Sequence, residues 1–380
     1  MPFKTLGLAP YLLKVITEQG YQKPYPIQEK AIPTILQHKD LLGIAQTGSG
    51  KTAAYVLPVL MNLKNKIKTK DRHIDVLVLV PTRELAIQVE EVFRLFGKAL
   101  PFPFKSFAVY GGASINPQMK SLSNVNVLVA TPGRLLELQE SNAVHFSELS
   151  TLVLDEADKM LNLGFKKEMD LIFGLLPKKR QNLLFSATLS PDVQKVENVL
   201  LNDPTIIKIE AEADTISLIK QLAYSVKPEK KGPLLRYLIK ENNWQQVLIF
   251  TSSVYQADLV AEKLQKNKVN ATAIHSKKSQ GRRTEILANF KAGTLRVLVA
   301  TDLLSRGIDI EFLPHVINYE LPRSPKDFVH RIGRTGRAEN AGDAITFVTE
   351  EDQHHFKVIQ KKMKCRVAME DSENLDLQGL

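Results

Sequence analysis

A chain of 380 residues exceeds the length at which one hydrophobic core keeps growing, so two domains are expected. With 44% apolar and 24% charged residues and no apolar run long enough to cross a bilayer, it excludes a helical membrane protein. The net charge of +10 favours polyanionic partners, nucleic acid first, and the single cysteine, Cys365, excludes an internal disulfide and a cysteine-built metal site. The opening stretch MPFKTLGLAPYLLK lacks the charged start, long apolar block and small-residue cleavage site of a secretory leader. The cytoplasm is therefore the expected location.

In chain order, the strand-like DLLGI runs into AQTGSGKT, residues 45–52, and then into a helix-forming stretch. That context is the one a phosphate-binding loop requires. Glycines let backbone N–H groups of Ala45, Gln46, Thr47, Gly48, Ser49 and Gly50 curl around a phosphate. Lys51 reaches the β and γ groups, and the Thr52 hydroxyl holds Mg²⁺. Ala45 stands where the strictest form of the pattern has glycine, a position where a methyl fits if φ is ordinary. KNKIKTKDRH, starting at Lys64, reads as a solvated loop.

Further β-branched runs then end in polar residues before helical patterns: VLVLVPTREL, VNVLVATPGRLLE, TLVLDEADKML and NLLFSAT. They read as buried parallel strands feeding helices. In VLDEADKM a carboxylate at a strand end supplies the second anchor Mg²⁺ needs, and its neighbour can take the proton from an attacking water. This assigns Asp155 to the metal and Glu156 to the water. A second series follows, QVLIFTSS, LRVLVATDLL, HVINYELP and DAITFVTE, and VLVAT occurs in both series, at 127–131 and 297–301. Two similar α/β halves are expected. The boundaries read from the sequence are a first domain over 1–206, a linker over 207–216, a second domain over 217–365 and a flexible tail over 366–380. Late in the chain, HRIGRTGR places three arginines and a histidine in eight positions, cations whose planar forks match phosphate oxygens.

AQTGSGKT, PTRELA, LDEAD, SAT, TPGR, SRGID and HRIGRTGR together resemble the DEAD-box ATP-dependent RNA helicases, over roughly residues 3–350 and in their compact bacterial type. The resemblance implies an α/β fold of two tandem RecA-like domains, each a mainly parallel sheet flanked by helices. It implies ATP and Mg²⁺ as cofactors, RNA as a largely sequence-independent partner, and a monomer.

The resemblance also implies site residues. GYQKPYPIQ is similar to the family's adenine-reading segment, so Gln28 would meet the base edge, with Phe3 stacking on the base and Tyr21 nearby. Tyr25 stands where the family more often has threonine. Asp309 would reach the ribose, and Arg334 and Arg337 the γ-phosphate when the domains shut. Asp158, Ser186, Thr188 and His330 would couple nucleotide state to closure. RNA would lie on Pro81, Thr82 and Arg83, on Gly111 and Gly112, and on Thr131, Pro132, Gly133 and Arg134 of the first domain. In the second it would meet Thr251, Gln280, Arg283, Thr301, Asp302, Arg306 and Gly307. Ser305 replaces the family's usual alanine. Two other functions fit the same motifs: an ATP-gated RNA clamp with slow turnover, and a DNA-stimulated helicase-like ATPase.

Overall fold

Seven short runs of the first half pair side by side in the computed structural model, which describes residues 2–46, 48–63, 65, 72–209, 219–302, 313–335, 342–363 and 365–377. They are β1 (Leu41–Ile44), β2 (Val76–Leu79), β3 (Ser106–Val109), β4 (Val127–Ala130), β5 (Thr151–Leu154), β6 (Gln181–Ser186) and β7 (Thr205–Lys208), in the order β3-β4-β2-β5-β6-β1-β7. Every pairing is parallel. The runs are apolar at consecutive positions because both faces are covered. Val76 and Val78 of β2 enter one core layer with Tyr55, Phe93 and Phe185, while Leu77 and Leu79 enter the opposite layer with Leu135 and Met160. Strand alternation thus splits one apolar run between two cores.

The second half repeats the plan. Its strands are β8 (Ile219–Ser225), β9 (Val247–Thr251), β10 (Ala271–Ile274), β11 (Val297–Thr301), β12 (His315–Asn318), β13 (Gly342–Val348) and β14 (Ala368–Asp371), in the order β10-β11-β9-β12-β13-β8-β14. Counting the second set from β8 gives the order of the first, strand for strand. The repeated VLVAT therefore occupies equivalent places, β4 with its following residue and β11. The chain divides by its internal contacts into Met1–Ala211 and Glu212–Leu380.

Parallel strands put all their carboxyl ends on one edge of each sheet, where loops and helix starts gather. Helices begin there at Lys51 after β1, Arg83 after β2, Pro132 after β4 and Ala157 after β5. Hydroxyl side chains close several first turns. Thr82 accepts from the Leu85 N–H at 3.3 Å, and Ser253, Ser279 and Ser324 cap helices of the second unit in the same way.

Two boundary expectations need correction. Residues 207 and 208, expected in the linker, belong to β7 and pair with Gly43 and Ile44 of β1; residues 210–216 lie outside the described residues. The expected flexible tail contains a strand. β14 extends the second sheet through Ala368↔Leu222 to Asp371↔Ser225, and Leu375 and Leu377 pack on the second unit's core. All four residues of β14 are exposed, so no apolar alternation marks it; backbone pairing at the sheet edge holds it. Ending the chain before Val367 is expected to lower the stability of the second unit on the order of 3 kcal/mol, through the lost ladder and leucine burial. Thermal unfolding of the shortened chain checks this, and an unchanged melting temperature would show that the strand adds nothing.

Candidate functional site

The loop after β1 bends at Gly48 and Gly50, whose φ values of 80° and 83° lie in the left-handed region. Gly50 is also crowded: a Cβ there would stand 2.5 Å from Nε2 of Gln28. Lys51 opens the following helix and turns its ammonium back into the loop, donating to the carbonyls of Ala45 and Gln46 at 2.7 Å each. Burial holds this ammonium below its ordinary value, with the charges of Asp155 and Glu156 opposing. The result is a cation fixed among backbone dipoles in a concave loop, suited to a phosphate chain. Thr47 lies outside the described residues.

β5 ends at Leu154, two strands away from β1 in the sheet, and delivers Asp155 and Glu156 beside this loop. Asp155 is 2% exposed, and the Tyr55 hydroxyl donates to its Oδ2 at 2.8 Å. Burial raises Asp155 from the ordinary carboxylate range to about 6, against the pull of Lys51. The same burial, followed by the charge of Asp155, holds the Tyr55 phenol well above its usual value, so the proton stays on the phenol. Glu156 sits in the left-handed region at φ 54°, and its Oε1 accepts from Lys159 Nζ at 2.6 Å. Oδ1 of Asp155 and Oε2 of Glu156 are buried with no hydrogen-bond partner among the described residues. Two buried carboxylate oxygens left open beside a phosphate loop fit a hard divalent cation and a water.

Between these strands runs β6, whose end carries Ser186. Its hydroxyl donates to the Thr188 carbonyl at 2.8 Å, and Thr188 Oγ1 donates to Asp158 Oδ2 at 2.8 Å. The segments SAT and DEAD are thus joined through the residues expected to couple them. On the other side of the loop, Gln28 is fully buried. Its Oε1 accepts from the Tyr25 N–H at 2.9 Å and its Nε2 donates to the Gly50 carbonyl at 3.0 Å, so the amide expected to read a base also braces the phosphate loop. Phe3, expected to stack on a base, is 5% exposed and packs edge-on against Tyr21 at 6.3 Å. An apolar ring near the chain start is drawn into the first core, and Tyr21 keeps the more accessible surface of the pair.

The other half of the same sheet edge gathers a different set. β3, β4 and β2 are neighbours, and their ends carry Gly111 and Gly112, Thr131 to Arg134, and Pro81 to Arg83. The Arg83 guanidinium lies against Gly112, where a Cβ would come within 2.1 Å of it, and Gly112 has φ 72°. The Gly111 N–H donates to Thr131 Oγ1 at 3.4 Å. Arg134 donates to the Ala113 carbonyl and to Glu137, each at 2.8 Å, and its third nitrogen, Nη1, is buried without a partner among the described residues. A Cβ on Gly111 or Gly133 would meet open space, so the backbone there is approachable. N–H groups, a hydroxyl and guanidinium groups on one patch are the donors a sugar-phosphate backbone needs.

In the second unit, the expected contact residues fall on the equivalent strands β10, β11 and β9. Thr251 ends β9, Thr301 ends β11, and Gln280 starts the helix after β10, where its Oε1 accepts from Arg283 at 2.7 Å. Asp302, an expected RNA contact, is held within the unit by an arginine. Both its oxygens bind Arg331, at 2.5 and 2.8 Å. Arg331 is 1% exposed, also donates to Asn318 and to the Glu320 carbonyl, and lies over the Phe250 ring at 5.1 Å. One of the three arginines of HRIGRTGR is therefore an internal tie with its own acid. Arg334 is buried and His330 half-buried, while Ser305, Arg306, Gly307, Asp309 and Arg337 lie outside the described residues.

Comparison with known proteins matches this arrangement. The DEAD/DEAH box helicase family covers residues 25–196, and the helicase conserved C-terminal domain covers residues 229–339. The ATP-dependent RNA helicase CshA of Limosilactobacillus reuteri is 39% identical over 368 residues, 97% of this chain and 73% of that protein. The CshA protein of Geobacillus kaustophilus is 37% identical over 98% of this chain and 79% of its own. The chain belongs to the DEAD-box helicase family. Its fold is likewise similar to that of S. cerevisiae Dbp5 bound to RNA and ADP BeF3, with TM-score 0.86 and 30% identity over 98% of this helicase and 96% of that chain.

Three residues of the helicase's sites were not singled out in the sequence: Tyr55, Lys159 and Arg331. Tyr55 stands one turn past Lys51, a spacing that puts both on one helix face. Lys159 stands one turn after its partner Glu156. Arg331 was hidden by its neighbours, since three arginines in a row of eight residues look alike until burial separates them.

The raised pKa of Asp155 means the folded protein disfavours its charge. Its stabilising contribution is full below about pH 4 and is lost as pH rises through about 6. Without metal or nucleotide, Asp155→Asn is therefore expected to be more stable than the natural helicase at pH 7.5, on the order of 3 kcal/mol, and equal to it at pH 4. Denaturant unfolding at the two pH values tests this; a less stable variant at pH 7.5 would contradict it.

Proposed function

We propose that this RNA helicase couples ATP hydrolysis to domain closure and to local strand separation in RNA duplexes or remodelling of RNA–protein complexes. The observation that carries this reading is the division of one sheet edge. Buried Lys51, Asp155 and Glu156 lie at the ends of β1 and β5, and the arginine, glycine and threonine donors lie at the ends of β2, β3 and β4. Hydrolytic and backbone-binding chemistry share one rigid support.

In this reading the loop N–H groups and Lys51 bind the phosphates, and Thr52 and Asp155 hold Mg²⁺. The cation would neutralise charge on the β and γ oxygens. Lys159 keeps Oε1 of Glu156 occupied, which leaves Oε2 to orient the attacking water and take its proton. Gln28 and Tyr21 border the base. Arg334 and Arg337 stabilise the γ-phosphoryl charge when ATP and RNA are both held, and an arginine in that role contributes about 10³ to 10⁵ in rate. His330, Asp158 and Thr188 transmit the state of the phosphates, and Asp309 meets the ribose. RNA contacts go to phosphates and sugar, so sequence preference is weak. The similarity to Dbp5 bound to RNA and ADP BeF3 supports both ligands for this chain.

Glu156→Gln is expected to bind ATP but to lower turnover by roughly 10² or more. Arg337→Ala is expected to lose RNA stimulation while keeping nucleotide affinity. Steady-state ATPase measurements with RNA, with DNA of the same sequence and without either test the reading; equal stimulation by DNA would overturn it. Separately, Gly112→Ala puts a Cβ into the Arg83 guanidinium at a left-handed position. It is expected to weaken RNA binding about tenfold, the equivalent of 1.4 kcal/mol, with nucleotide affinity unchanged. Fluorescence anisotropy of a labelled oligonucleotide measures this.

A further inference from the structure

Tyr55 has a hydroxyl group in the middle of an apolar core. The side chain is fully buried on the helix Lys51–Asn62, three residues past Thr52 and four past Lys51, so it lies on the helix face that carries both. Its ring is wedged between Phe93 and Phe185, with centroids 6.3 and 5.3 Å away, and Phe185 immediately precedes Ser186 at the end of β6. A buried phenol needs a hydrogen-bond partner. Here the partner is the Asp155 carboxylate, a hundred residues away in the chain, at 2.8 Å.

This contact uses one carboxylate oxygen and leaves the other. Oδ2 of Asp155 is occupied by Tyr55, and Oδ1 is buried without a partner among the described residues. A carboxylate free to rotate about its terminal bond would present either oxygen, or both. Tied at Oδ2 by a rigid ring, it presents Oδ1 only. We propose that Tyr55 is a positioning residue for the divalent cation, orienting Asp155 so that one chosen oxygen meets the metal or its coordinated water. The inference rests on the reading of Asp155 as a metal anchor. Losing a group that orients a metal's immediate partner typically costs about 10- to 100-fold in metal affinity.

Fluorescence titration of Mg²⁺ into the protein with a fluorescent ADP tests this, read as the Mg²⁺ concentration that gives half-maximal binding. Tyr55→Phe removes the hydroxyl and keeps the ring, so it is expected to fold and to raise that concentration roughly tenfold. At saturating Mg²⁺ its nucleotide affinity should match that of the natural protein. Phe185→Leu disturbs the same packing but leaves the hydroxyl, and should lower the melting temperature without moving the Mg²⁺ requirement. An unmoved requirement in Tyr55→Phe, in the presence of a lost Mg²⁺ response in Asp155→Asn, overturns the role of Tyr55 and leaves the metal anchor standing. A shift in Phe185→Leu equal to that in Tyr55→Phe assigns the effect to packing and also overturns it. A normal Mg²⁺ response in Asp155→Asn removes the metal anchor itself.

Discussion

Charge withdrawn from water at a strand end is what the first unit is organised around. Asp155, Glu156 and Lys51 are all buried, and an isolated buried charge is costly unless something fixed answers it. Each is answered in part: Asp155 by the Tyr55 hydroxyl, Glu156 by Lys159, Lys51 by two loop carbonyls. The answers are incomplete in one direction only, since one oxygen of each carboxylate stays open among the described residues. A site so arranged has already met most of the desolvation cost that a cation and a triphosphate would otherwise demand. Its polar groups also need little rearrangement when the ligand arrives.

In the proposed function one edge of the sheet does two jobs, and the strand order allows it. All pairings are parallel, so the strand ends share an edge, and the strand order separates β3-β4-β2 from β5-β6-β1. In the proposed function the first trio carries the sugar-phosphate donors and the second the nucleotide chemistry. The duplicated topology of the second unit keeps the first division: the expected RNA contacts again fall on the equivalents of β3, β4 and β2. It has lost the second. β8, the equivalent of β1, runs into VKPEKKG and not into a glycine-rich phosphate loop, and β12 is followed by Tyr319 and Glu320 where β5 is followed by Asp155 and Glu156, so one carboxylate of the pair is missing. The two sheets therefore share one strand order but not the residues that follow β1 and β5.

Within that segment, Arg331 makes two motifs into one. Its guanidinium joins Asp302, just past β11, to Asn318 at the end of β12 and to the Glu320 carbonyl, over the face of Phe250 in β9. Three neighbouring strand ends are thereby tied to the helix Pro325–Ile332, and Arg334 follows just past its end. A planar fork with five donors suits this bridging task as a lysine would not.

Much of the protein was legible before any coordinates. Ordered motifs named the nucleotide loop, the paired carboxylates and the family, because those functions demand particular residue types at short chain separations. The apolar runs named the strands, and the repeated VLVAT hinted at the duplication that the two sheet orders establish. Contacts between residues far apart in the chain were decided by packing alone. The bond between Tyr55 and Asp155, the tie between Arg331 and Asp302, and the bracing of Gly50 by Gln28 each join segments whose spacing carries no periodicity. Phe3 went into the core because burying an aromatic ring is favourable wherever a cavity of the right shape exists, and the shape comes from the whole fold. The strand Ala368–Asp371 escaped notice for the opposite reason: it buries nothing, and backbone hydrogen bonds to a neighbouring strand leave no mark on the choice of side chains.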